Sequence, residues 1–277
     1  MQSSIRGSKW VTNPRLIFGL TVIVTFTAAA VLAPWLAPTA PDDIDVAMRL
    51  LPPGPGGLFG RDLTGGSVLT AMLYGGRTSL YISVLTVALS VSVGTWVGLI
   101  AGYKRGWVDM VLMRIVDLLM AFPGILLAMA LAAMLGPSRS NVILAISATG
   151  WTSAARLIRA QTLSIREREY VTASRALGAL DSRLLWHHIF PATLTPLLVH
   201  ATFSLSGVIV VEASLSFLGL GAQDGAPSWG ALLAQGRTVL VEAPYLSIVP
   251  GTAIALIVLA LNFVGDALRD LLDPRKH

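Results

Sequence analysis

The stretch EYVTASRALGALDSRLLWHHIFP, residues 169–191, is a polar segment between two strongly apolar runs. Good helix formers follow Glu169 until Gly178 interrupts them, as a glycine at a left-handed helix terminus does. Asp181 is then a natural N-cap for a second short helix, which Pro191 is expected to end. The stretch therefore predicts a helix–turn–helix, called the elbow from here on, that projects from a membrane-embedded bundle.

The elbow carries more apolar side chains than a solvated loop needs. They are Leu177, Leu180, Leu184, Leu185 and Trp186. An exposed apolar patch of this kind marks a contact site for another protein. Two adjacent histidines, His187 and His188, suggest a different reading, catalysis or metal binding. Because adjacent residues lie on different faces of a helix, they cannot chelate one metal as a pair four residues apart would. We therefore expect packing roles for both.

The composition indicates a membrane protein. Of 277 residues, 54% are hydrophobic and 13% are charged, and the mean hydropathy is +0.71. Soluble domains carry roughly 25% charged residues, so a chain of this length with half that fraction is suited to a bilayer. Since the chain has no cysteine, a disulfide framework and a thiolate metal site are both excluded. No small-residue cleavage site follows the first apolar run, so no cleavable signal is expected.

Six segments are apolar enough to cross a hydrocarbon core, which needs about 20 mostly apolar residues in a helix. They are residues 15–37, 77–102, 108–135, 140–160, 194–220 and 245–268. The fourth is the least apolar and is suited to a position among other helices. The fold class predicted is an all-α polytopic membrane protein with six transmembrane helices.

The distribution of Lys and Arg predicts the orientation. With the N-terminus inside, 15 of the 20 basic residues lie on the cytoplasmic side and 5 lie outside. Both termini and a loop over residues 161–193 are then cytoplasmic. The organisation predicted is an N-terminus with the first span, an extracytoplasmic loop, a core membrane domain and a tail, over residues 1–37, 38–76, 77–270 and 271–277.

The first outer loop begins with a proline- and glycine-rich linker that is expected to be irregular. A short interfacial helix is predicted over its residues 67–74. In the following span, small residues recur at every fourth position, at Ser90, Gly94, Gly98 and Gly102. Such a ridge allows close helix packing, either inside this chain or at a seam with a second membrane subunit.

Ionisable residues inside spans are costly and are treated as functional candidates. Arg114 and Asp117 are three apart, so they share a helix face and are predicted to pair. Pro123 should kink the same helix. Glu212 lies deep in the fifth span, where it is neutral, paired across helices or lining a polar path.

No catalytic constellation is evident in the sequence. The chain lacks a GxxxxGK[ST] loop, so it does not cradle nucleotide phosphates in that manner. A membrane-embedded enzyme would need polar groups that converge at one depth. A secondary transporter would need inverted repeats and coupling carboxylates, and Glu212 is the single deep candidate.

The elbow resembles the cytoplasmic signature loop of ABC importer permeases. That pattern is EAA, three residues, Gly, nine residues, then Ile, any residue, Leu and Pro. Ala173, Gly178 and Pro191 match it at the right spacing. The positions that depart from it are Thr172, Ser174, His188 and Phe190.

Further blocks resemble dipeptide/oligopeptide/nickel-type permeases, in family order over residues 58–275. They are GRDLTGGSVLTAMLYGGRTSL, RIVDLLMAFP, EASLSFLGLG, PSWGALLAQGR and NFVGDALRDLLDPR. The short first outer loop and the DPR ending resemble the second of the two permeases that this family pairs as a heterodimer.

The resemblance implies a permease of a prokaryotic inner membrane that works in a complex. Its partners would be a second homologous permease, two ATPase subunits that bind ATP and Mg²⁺, and an extracytoplasmic binding protein received by loops 38–76 and 222–243. The chain itself would bind no cofactor and catalyse no reaction. The cargo implied is a di- or oligopeptide; nickel or a metal chelate is the alternative, and an ion-gradient-driven carrier is the alternative from another class.

The resemblance also implies that the elbow is the coupling helix, which contacts an ATPase groove through residues 168–188. The positions predicted for this role are Glu169, Ala173, Ala176, Leu177, Gly178, Ala179, Asp181 and Pro191. The candidates for a translocation path or a structural polar role are Arg114, Asp117 and Glu212.

Overall fold

The computed structural model describes residues 13–224 and 227–272, and all the regular elements there are helical. The parts of the predicted cytoplasmic ends at residues 1–12 and 273–277, and residues 225–226 of the second outer loop, lie outside the described residues. The helices are α1 (Pro14–Val31), α2 (Ala33–Leu36), α3 (Val68–Lys104), α4 (Gly106–Met120), α5 (Gly124–Leu135), α6 (Arg139–Arg166), α7 (Glu169–Ala176), α8 (Asp181–Phe217), α9 (Trp229–Thr238) and α10 (Tyr245–Leu272). A single 3₁₀ turn, Val46–Met48, lies in the first outer loop.

Four described helices, α1, α3, α8 and α10, are long and apolar enough to cross a membrane. The pair α4 and α5 gives a fifth if it is counted as one broken span. The fourth predicted span lies within α6, whose polar composition keeps it out of this set. The all-helical membrane architecture is therefore confirmed, and the number six stays a prediction.

The short separate helix predicted in the first outer loop is wrong. Residues 67–74 do not form a separate interfacial helix, because α3 runs unbroken from Val68 and the Ser67 hydroxyl caps it by accepting from the Thr70 amide at 3.4 Å. Gly75 and Gly76 lie inside the helix, and a Cβ on Gly76 would come within 2.8 Å of the Trp229 indole.

The kink predicted at Pro123 is confirmed and is larger than a bend. α4 ends at Met120, Pro123 is the N-cap residue of α5, and the two axes differ by 85°. Proline cannot donate to the preceding turn and crowds its carbonyl, so the chain leaves the first helix and starts a second.

The small-residue ridge packs within the chain, against α6. A Cβ on Gly94 would lie 2.5 Å from the Trp151 carbonyl oxygen, and one on Gly98 would lie 2.5 Å from that of Ala155. Because these contacts leave no room for a methyl group, α3 and α6 form a close-packed pair along most of their length. On the other side of the bundle, α10 packs against α1, α8 and α9.

Candidate functional site

The elbow consists of α7, a tight turn and the start of α8. Gly178 has φ +84°, and the Ala179 amide donates to the Ser174 carbonyl oxygen at 3.1 Å. The prediction of a left-handed helix terminus at Gly178 is therefore confirmed. A Cβ at this position would meet no atom within 4 Å. The turn therefore requires glycine for its positive φ and not because space is short.

The turn presents an apolar tip, which we define as Leu177 and Leu180. Their side chains are 89% and 74% exposed. Glu169, Ala173 and Ala176 are exposed on α7 beside it. Two large and mostly exposed apolar residues at a turn are the feature expected of a docking surface.

The base of the elbow is buried and belongs to the core of the bundle. Val171, Leu184 and Ile189 are fully buried and pack in one cluster with residues of α3 and α6. The apolar residues of the elbow are therefore divided between an exposed tip and a buried base. The base therefore connects the tip to the close-packed core that α3, α6 and α8 form.

Asp181 does not cap α8, and that prediction is wrong. The N-cap residue is Leu180, and the Asp181 carboxylate instead accepts from the Tyr103 hydroxyl of α3 at 2.5 Å. The guanidinium groups of Arg166 and Arg175 lie 5.6 and 5.9 Å from the centre of the Tyr103 ring. The tertiary contact replaces the local cap, and it ties the first residue of α8 to the end of α3.

Pro191 does not end the helix, so that prediction is also wrong. The helix continues to Phe217, and the segment before the proline, Leu184–Ile189, is π-helical. Proline lacks an N–H group and crowds the carbonyl four residues earlier. A widened turn accommodates the ring without breaking the helix.

His188 has a packing environment, as expected, whereas His187 is exposed. His188 Nε2 lies 3.3 Å from the Ser174 hydroxyl, and its ring lies 6.1 Å from that of Tyr170. No group of three or more metal-ligating side chains exists within the described residues. Ser174 and His188 are both departures from the signature pattern, and the structure places them in contact with each other.

Arg114 and Asp117 do not pair with each other, which corrects the prediction. Asp117 accepts from Arg156 Nη2 of α6 at 2.7 Å. Arg114 is exposed and pairs with no carboxylate in the described part of the chain. The spacing of three residues was compatible with a pair, but α6 presents a guanidinium to the same carboxylate from across the interface.

Sequence reasoning missed the stronger ion pair between the same two helices. Asp109 accepts from Arg159 Nε at 2.5 Å and from Nη2 at 2.6 Å. The available signal was an acidic residue in the first turn of α4 opposite a span that carried two arginines. These contacts hold α4 on α6.

Glu212 is fully buried where α8 approaches α3 and α9. Its Oε1 accepts from the Ser216 hydroxyl at 2.8 Å, and the hydroxyls of Ser79 and Ser228 also face the carboxyl. The choice among the three roles considered from sequence stays a prediction. Asn262, another polar residue in the spans, accepts from the Ser206 hydroxyl at 3.3 Å.

Comparison with known proteins gives consistent matches. Residues 94–277 match the family described as binding-protein-dependent transport system inner membrane component, and residues 8–53 match the N-terminal transmembrane domain of oligopeptide transport permease C. The chain is 45% identical to a peptide transport system permease protein of Brucella suis biovar 1, over 93% of this chain and 86% of that protein.

Two further matches agree with these. The chain is 40% identical to a dipeptide transport system permease protein of Alkalihalophilus pseudofirmus, over 95% of this chain and 86% of that protein. The fold matches a chain of the MetNI methionine ABC transporter in an inward-facing conformation, with a TM-score of 0.61 at 18% identity, over 73% of this chain and 97% of that one.

Proposed function

Because the chain belongs to the family of binding-protein-dependent transport system inner membrane components, we propose that it is the transmembrane permease subunit of an ATP-driven ABC importer for di- or oligopeptides. The two relatives described above are named for peptide and dipeptide transport, which favours a peptide over nickel or a metal chelate. ATP hydrolysis, with its Mg²⁺, belongs in this proposal to two separate ATPase subunits.

The elbow is the part of the chain that receives the motion of the ATPases. A single observation carries this assignment: an exposed apolar tip stands on a buried, close-packed base. An exposed tip alone could bind a partner without moving the membrane helices. A tip on this packed base transmits the partner's movement to α3, α6 and α8. The contact surface proposed is residues 168–188, with Glu169, Ala173 and Ala176 beside the tip.

The remaining partners follow from the same assignment. A second homologous permease completes the path, and an extracytoplasmic binding protein docks on loops 38–76 and 222–243. In this arrangement α6 is the fourth of six transmembrane helices, buried among the others, and both termini are cytoplasmic.

The test replaces Gly178 by valine in the complete importer reconstituted in liposomes. Valine at φ +84° strains the turn and moves the tip, so ATP-driven peptide uptake is expected to fall at least about tenfold relative to ATP hydrolysis. Gly136→Val is the matched control, since Gly136 has φ +87° and equally open space but lies away from the elbow. Normal coupling in Gly178→Val would refute the assignment of the elbow.

A second experiment separates the importer from an ion-driven carrier. The purified chain in ATP-free liposomes is given a proton or a sodium gradient, and no peptide accumulation is expected. Uptake that follows either gradient without the ATPases would contradict the proposed function.

A further inference from the structure

The outer helix α9 is seated without a gap in the angle between α3 and α8. A Cβ on Gly230 would lie 2.4 Å from the Ala213 carbonyl oxygen of α8. A Cβ on Gly75 of α3 would lie 2.8 Å from the Pro227 carbonyl oxygen. Trp229 is buried against Gly76 and donates from its indole to the Met72 carbonyl at 3.0 Å. The first turn of α9 therefore touches both membrane helices through backbone as well as side chains.

Polar groups meet beside the first turn of α9, although apolar side chains alone could pack the three helices together. Ser228, the fully buried N-cap residue of α9, accepts from the Ala231 amide at 3.4 Å. The Trp229 amide donates to the Ser79 hydroxyl of α3 at 3.2 Å. Three elements thus meet at two hydroxyl groups that also face the Glu212 carboxyl.

The Glu212 carboxyl occupies the centre of this cluster. It is fully buried and bonded on one side to Ser216, and Oε2 completes no hydrogen bond with the described residues. A carboxyl in such a place is costly unless surrounding dipoles offset the cost. The amide end of α9 and the two hydroxyls supply such dipoles, so the carboxyl and the seating of α9 stabilise each other.

We propose that Glu212 is a positioning residue that fastens α9 to α3 and α8, so that a protein docking on the outer loop 222–243 acts directly on those two helices. Both α3 and α8 extend from this cluster to the elbow, where the hydrogen bond between Tyr103 and Asp181 joins them again. The close contacts of α9 with α3 and α8 are observed, and the part that Glu212 plays in them is the proposal. The use of this fastening in transport rests on the proposed function.

The fastening is tested by the accessibility of α9 in the purified permease complex. The chain contains no cysteine, so Leu232→Cys introduces a single thiol on the buried face of α9. In the parent its reaction with a polar maleimide is expected to be slow. Adding Glu212→Leu should raise the rate by about tenfold or more, because the loss of a buried polar centre favours local opening.

Two companion variants keep the test sharp. Glu212→Gln preserves the size and the acceptor oxygen, so the labelling rate should rise by less than about threefold. Glu242→Gln alters an exposed glutamate beyond the end of α9 and should leave the rate unchanged. If Glu212→Leu does not accumulate, Ser79→Ala with Ser228→Ala replaces it, with a rise of about threefold expected. An unchanged rate in Glu212→Leu, or in the serine pair, overturns the inference.

A second readout separates this inference from the proposed function. In the reconstituted importer, the ratio of hydrolysis rates with and without binding protein should fall at least about fivefold in Glu212→Leu and little in Glu212→Gln. Faster labelling with an unchanged ratio overturns the role of Glu212 in signalling from the outer loop. If no binding protein changes the rate of ATP hydrolysis in the parent complex, the proposed function is refuted instead. The labelling result then still holds.

Discussion

The bond from the Tyr103 hydroxyl to the Asp181 carboxylate joins the elbow to the bundle. A hydrogen bond to a charged group is worth about 1.5–3 kcal/mol when buried, and less at an exposed site such as this one. The stacked guanidinium groups of Arg166 and Arg175 keep the ring in place when the hydroxyl is removed. The hydroxyl can therefore be tested separately from the packing of the ring.

Tyr103→Phe is expected to loosen the elbow without displacing it. Loss of about 1 kcal/mol should raise amide hydrogen exchange in residues 177–184 by about fivefold. Hydrogen-exchange mass spectrometry of the purified permease measures this. Tyr81→Phe, an exposed tyrosine of the same helix, is the control, and equal exchange in both variants would contradict the role of the bond.

The residues of the elbow show which interactions a sequence reveals. Gly178 was predictable because a left-handed terminus is a local property of a few consecutive residues. The partner of Asp181 was not, because Tyr103 lies 78 positions away and an acidic residue before a helix is an equally good cap on paper. The predicted pair of Arg114 and Asp117 failed for the same reason. The spacing of residues on one helix gives no information about a guanidinium on another helix, here that of Arg156.

At the scale of helices, α3 and α6 depend on the absence of side chains between them. A methyl group on Gly98 of α3 would lie only 2.5 Å from the Ala155 carbonyl oxygen of α6. Overpacking of this kind costs about 1–3 kcal/mol.

Gly98→Ala is therefore expected to lower the stability of the purified permease by about 1–3 kcal/mol, although alanine is the better helix former. Gly207→Ala is the matched control, because its added methyl group meets nothing within 4 Å and should be neutral or stabilising. Thermal unfolding in detergent compares the two. A variant at Gly98 as stable as the parent would argue against the close packing.

The two ion pairs between α4 and α6 are unequal. The Asp109 side chain is 16% exposed and holds Arg159 through two bonds, whereas Asp117 is 54% exposed and accepts one bond from Arg156. Asp109→Asn should cost about 2–3 kcal/mol, because it leaves a half-buried guanidinium unpaired. Asp117→Asn should cost less than about 1 kcal/mol. Unfolding midpoints measured side by side check the order, and the reverse order would refute it.

Helix boundaries were less predictable than helix existence. The start of α3 was not predictable, because the Trp229 ring that packs on Gly76 lies 153 positions away in the sequence. The break at Pro123 was predictable because proline acts on its own turn. Hydropathy does not identify α6 as a span, because a helix buried among other helices tolerates small and hydroxyl residues that a lipid-facing helix does not.

For the whole molecule, the distribution of charge predicts that the elbow and the outer helix α9 lie on opposite sides of the membrane. Leu180 and Val241 are both highly exposed, and the chain has no natural cysteine. In intact spheroplasts, a membrane-impermeant maleimide should label Val241→Cys and not Leu180→Cys. After lysis both should react. Labelling of Leu180→Cys from outside would reverse the topology and place the proposed ATPase contact on the wrong side.

The π-helical segment Leu184–Ile189 has one further consequence, for the number of residues in the chain. A π turn amounts to one residue inserted in an α-helix. Deleting a single residue there would restore the ordinary repeat with little net rotation of the chain before it, because the deletion removes the residue that the π turn accommodates. Leu177 and Leu180 would keep their direction. The same deletion in the α-helical part of α8 after Pro191 would instead rotate everything before it by about 100°, so it should be more damaging there than within Leu184–Ile189.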